Sequence, residues 1–110
     1  MKVLEKELRD IDIYDVEEME AFETALSKLT TLEEEIKDCK TIAESMRKEC
    51  YAVFDFVNEV FGEGTDEFLF GNKTNILKCT QALTEIIANV NSKAKKDSSK
   101  VTLYIERSKK

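Results

Sequence analysis

Between Ile36 and Val60 the apolar residues hold one spacing, and it restricts the fold more than any other feature of the chain. Ile36, Ala43, Cys50 and Val57 recur every seven residues, and Cys39, Met46, Val53 and Val60 interleave with them. Steps of three and four put such residues on one face of a helix that packs along another helix. The sequence has no proline and only three glycines, so little opposes long helices. The spacing predicts a central helix over residues 33–61, with Phe54 and Phe61 widening the seam towards its C-terminal end.

On the N-terminal side, Asp15 followed by Glu18 has the form of a helix start, because an Asp oxygen can accept from the first free backbone amides. Val16, Met19, Phe22, Leu26 and Leu29 then fall at helical spacing, giving an amphipathic helix over residues 15–29. Thr31 with Glu34 makes a capping box for a second start, or else the two helices are continuous. Gly62 stands where a left-handed C-terminal cap is wanted. Beyond Gly64, residues 65–70 make a short turn that Gly71 ends. Thr74 or Asn75 caps a last helix carrying Ile76, Cys79, Leu83, Ile86, Ile87 and Val90. Residues 92–100 read as a polar linker. Residues 11–14 and 101–105 alternate like short strands. The expected fold class is all-α, a small bundle of about three main helices with a long central heptad-patterned helix and room for short terminal strands.

Charge divides the chain. Residues 92–110 hold seven bases and two acids, a balance of +5, so the whole chain's −6 leaves −11 on residues 1–91. The expected organisation is an acidic helical domain over 1–91 and a basic, flexible C-terminal tail over 92–110. So acidic a body repels nucleic acid, and only the tail could touch phosphate. Cys39, Cys50 and Cys79 are odd in number and lack close spacing, which fits a reducing compartment better than a disulfide scaffold. No apolar run approaches a membrane span and the first residues do not lead into a signal-peptide apolar region, so the expected location is the cytoplasm.

Motifs that suggest chemistry fail on detail. Residues 61–65, Phe-Gly-Glu-Gly-Thr, follow a helix and contribute Glu63, whereas a phosphate loop follows a strand and usually supplies Lys. Residues 10–15 resemble the start of a calcium loop, but Tyr14 stands where an oxygen ligand is needed and Ala21 where a Glu is needed. The chain has no histidine, the usual general base and metal ligand. The cysteines sit on apolar faces and read as small buried residues. No enzyme activity, metal or cofactor is expected.

Aromatic residues are concentrated between Tyr51 and Phe70. They either plug the gap between two helices or form an exposed patch that grips another chain. On the second reading the partner-binding residues are Tyr51, Phe56, Phe61, Phe68 and Phe70.

Residues 49–65 together with the Phe-Gly-Asn-Lys-Thr-Asn run at 70–75 resemble a family of small proteins encoded in siphophages and prophages of Firmicutes. Residues 11–15 and the acidic helix after them look like the same family; the segment from Val101 does not. The resemblance implies a virion-morphogenesis product similar to tail assembly chaperones, which bind the tape-measure protein before the tail tube polymerises. The implied partner is a phage tail or virion component in the bacterial cytoplasm. The alternatives are a virion structural or head–tail joining component and a host-directed acidic regulator. The seam exceeds what a three-helix domain needs, which leaves part of it for a second copy.

Overall fold

The computed structural model describes residues 1–96, with five helices and one two-stranded hairpin. Strands β1 (Lys2–Val3) and β2 (Lys6–Glu7) pair antiparallel, Lys2 opposite Glu7 and Val3 opposite Lys6. Leu4 and Glu5 turn the chain with φ of 52° and 66°, the paired positive values of a two-residue hairpin loop. Residues 11–14, read from the sequence as a short strand, form no strand. Ile11 is instead a buried plug, and Asp12 accepts from the Tyr14 amide.

Helix α1 (Val16–Thr30) starts as expected. The Asp15 carboxylate accepts from the Glu17 and Glu18 amides, and Glu17 and Glu18 suit the positive end of the dipole. Phe22 and Ala25 are buried, with Met19, Leu26 and Leu29 half-buried beside them. Val16 departs from the expected stripe and is exposed, one turn before the helix meets its neighbour. Helix α2 (Leu32–Ile36) follows after Thr31 alone, but Thr31 forms no capping box: its hydroxyl donates to the Lys28 carbonyl.

The expected continuous helix over 33–61 is broken. Residues 37–41 interrupt it: α2 ends at Ile36, and α3 (Ile42–Phe61) begins afresh after Thr41, whose backbone is extended. The Thr41 hydroxyl accepts from the Glu44 amide at 3.1 Å, and the Glu44 carboxylate accepts from the Lys40 amide at 3.2 Å. Side-chain oxygens satisfy amides that a new helix leaves open, so the break costs little. Of the seam, Cys50, Val53, Val57 and Val60 are buried, whereas Ala43 and Met46 are exposed and Ile36 and Cys39 half-buried. Only the C-terminal half of α3 lies between α1 and helix α5 (Ile76–Lys96), where the main core forms.

Between those helices, α4 (Thr65–Phe70) makes a compact corner. Gly62 caps α3 with φ 116° and ψ 156°, a mirror-image extended conformation in place of the expected left-handed one; both favour glycine. Asn58 accepts from the Asp66 amide and so ties α4 to α3. Asn75 caps α5 by accepting from the Lys78 amide, and Cys79, Ala82, Ile86 and Val90 are its buried stripe. The helix continues through residues 92–96, where the sequence suggests the start of a linker. Residues 97–110, including the expected strand at 101–105, lie outside the described residues. No described helix is long and apolar enough to cross a membrane.

Candidate protein-binding face

The aromatic residues separate into core and surface according to their position around α3. Residues 47, 51 and 54 lie on one stripe, about a third of a turn from 52, 56 and 59. Phe56, on the second stripe, is only 2% exposed and meets Phe22 of α1 edge to face. It therefore leaves the expected partner-binding set, because the α1–α3 contact uses its ring.

On the first stripe a ladder of side chains is open to solvent. The Arg47 guanidinium lies 5.9 Å from the Tyr51 ring centre and donates to the Tyr51 hydroxyl at 3.2 Å. Tyr51 and Phe54 have ring centroids 5.9 Å apart, and Phe54 and Phe70 of α4 lie 5.2 Å apart. Tyr51 is 48% exposed, while Phe54 and Phe70 are half-buried. Phe68, also on α4, is 50% exposed; the Lys6 ammonium lies 5.5 Å from its ring and donates to its carbonyl at 2.6 Å. Phe61 is half-buried beneath the Arg9 guanidinium, 5.7 Å from its ring centre. Arg9 also donates to the Val60 carbonyl at 2.7 Å and pairs with Glu18, supplying the positive charge that the last turn of α3 lacks.

The structure thus joins Tyr51 to Phe70 through Phe54, assigns Phe56 to the core and holds Phe61 under a structural arginine. Phe54 is the residue that sequence reasoning missed on this face. It was assigned to the seam, yet its spacing of three from Tyr51 also places it on the ladder. Arg47, four residues before Tyr51, could have been found by the same spacing.

Two other clusters are already committed. Oxygens of Asp12, Asp15 and Glu18 lie within 4.8 Å of one another, the place where the sequence suggests a partial calcium loop. Asp12 and Asp15 accept from backbone amides, and Glu18 pairs with Arg9. Cys50 and Cys79 are buried between α3 and α5. Burial, and then a hydrogen bond with Cys50, push the Cys79 thiol up to about 12, which keeps it protonated at neutral pH.

A protein-family model matches residues 4–110, which takes in all five helices and the basic residues beyond them. The chain belongs to a family of unknown function (DUF6673). No curated protein matches the chain, and no solved structure does. The family unit therefore covers the acidic body and the basic terminal residues together. The aromatic ladder lies wholly inside it.

Proposed function

We propose that this protein is a non-catalytic binding protein of phage morphogenesis, a tail assembly chaperone that holds a helical client such as the tape-measure protein. The observation that carries the binding part is the ladder Tyr51–Phe54–Phe70, with Phe68 a further exposed ring on α4 that lies against Lys6. Rigid aromatic rings, half open to water and bordered by Arg47 and Lys6, are the composition of an interface hot spot. Such rings gain apolar contact on binding and lose little conformational entropy. The phage part rests only on the resemblance of residues 49–75 and of residues 11–15 with the acidic helix after them, and the acidic body would keep a client complex soluble in the host cytoplasm.

The reading is tested by co-expression with the longest helical protein encoded beside this one. The client should be soluble only when the two are made together. Tyr51→Ser combined with Phe68→Ser should abolish that while leaving the helical circular dichroism unchanged. A client equally soluble with the double variant would remove the aromatic face from the proposal. Self-association fits another surface, the first two turns of α3, where Ile42 is 80% exposed and Met46 continues the seam. Ile42→Glu should then reduce the mass seen by light scattering to that of a monomer.

A further inference from the structure

About a third of a turn around α3 from the aromatic ladder, a groove opens between the C-terminal half of α1, α2 and the middle of α3. Its volume is about 340 Å³. Leu29, Leu32 and Ala52 line it together with Glu35 and Asp55, above the almost wholly buried Phe56. On one side Lys28 reaches across to Glu59 at 2.9 Å, so that pair is neutralised within the protein. Glu35 and Asp55 have no cation at ion-pair distance among the described residues.

A mixed lining, apolar side chains beside two carboxylates that have no ion-pair partner among the described residues, matches a side chain that is itself apolar along its stem and cationic at its head. Arginine fits better than lysine. Its planar guanidinium carries several donors in a fork that matches carboxylates and is weakly hydrated enough to lie beside apolar side chains, whereas an ammonium is a compact, strongly hydrated point charge. The groove has room for one large side chain and not for a whole helix. The −11 carried by residues 1–91 favours a source that is itself basic. We propose that the groove anchors an arginine side chain presented by a basic segment of a different protein. This site is separate from the aromatic face and does not depend on the chaperone reading.

The test uses the full chain, labelled with ¹⁵N, and a helical alanine-rich peptide of about fifteen residues carrying one central arginine flanked by leucines. The peptide should shift the amides of Leu29, Leu32, Ala52 and Asp55. Replacing the peptide's arginine by glutamine should weaken binding by about tenfold, as should Asp55→Asn in the protein, the loss expected for a charged hydrogen bond. Asp55 is exposed, and an otherwise unchanged amide spectrum shows that the variant folds. Equal binding of the glutamine peptide, or no effect of Asp55→Asn, would overturn the proposal. So would shifts confined to Tyr51, Phe68 and Phe70, which would keep a binding role but move it to the aromatic face. If deletion of residues 97–110, or dilution of the protein alone, moved the same four amides, this chain's own basic residues would be the occupant and the proposal would fall.

Discussion

Phe22 and Phe56 meet with ring centroids 6.0 Å apart and an interplanar angle of 66°, at the centre of the packing of α1 on α3. Removing a buried ring leaves a cavity as well as lost transfer energy, so Phe56→Ala should destabilise the fold by about 3–5 kcal/mol. The seam residues should divide by burial, although their spacing treats them alike. Val53→Asp places a charge between α1 and α5 and should cost several kcal/mol, on the order of 3–5. Met46→Asp sits on an exposed turn and should change stability by less than about 1 kcal/mol. Urea denaturation of the three variants checks all of this; equal losses at 46 and 53 would mean that the seam is buried throughout.

The start of α3 is the clearest case of an element whose signal was present and overlooked. Thr41-Ile42-Ala43-Glu44 is a capping box as good as the one sought at Thr31 and Glu34, but the seven-residue repeat runs across it without a gap. Periodicity reports which face is apolar. It does not report whether the backbone is continuous, and local side-chain hydrogen bonds decided that here. Thr41→Ala should therefore cost about 1 kcal/mol, read as a lower urea midpoint, whereas Thr31→Ala should cost much less. Helices α1 and α5, the C-terminal part of α3 and the α4 corner were legible because their stripes, glycines and caps agree. The hairpin at residues 2–7 was not, because its turn uses Leu4 and Glu5 in place of the Asn-Gly or Asp-Gly that marks such loops. Of the expected site residues, Tyr51 and Phe68 are exposed and Phe70 half-buried, while Phe56 lies in the core, because aromatic density carries no information about facing. The cysteines give a further check on α3 and α5. Thiol titration at pH 8 should find Cys39 reacting quickly, while Cys50 and Cys79 react only as the protein unfolds. Three equally fast thiols would deny the α3–α5 contact.

Across the whole molecule the long-range ties are concentrated in the first ten residues. The Met1 amine donates to the Leu8 carbonyl at 2.6 Å and to Asp10 at 2.8 Å, and Asp10 also pairs with Lys93 near the end of α5. The hydrogen bond to Asp10 raises the amine above its ordinary value of 8.0, and the same bond lowers Asp10 below its ordinary 3.8. The amine's contribution to stability is thus complete below about pH 8 and fades as pH rises through the raised value. That of Asp10 is complete above about pH 4 and fades as pH falls through the lowered one. Thermal melting should show a plateau between these limits, and Asp10→Asn should shrink both limbs. A melting temperature equally steep in pH for the variant would show that other groups set the profile.

The same ties also bear on the order in which the molecule can be completed during synthesis. Arg9, Lys6 and Leu4 bond to groups 51, 62 and 81 residues further along the chain. Residues 1–11 are therefore made before the helix they pack on, and until α5 with Glu85 is available Val3 and Ile11 have no finished core to enter. A nascent chain stopped before α5 should remain protease-sensitive at both ends. The hairpin then works as a latch that closes only when translation has passed α5.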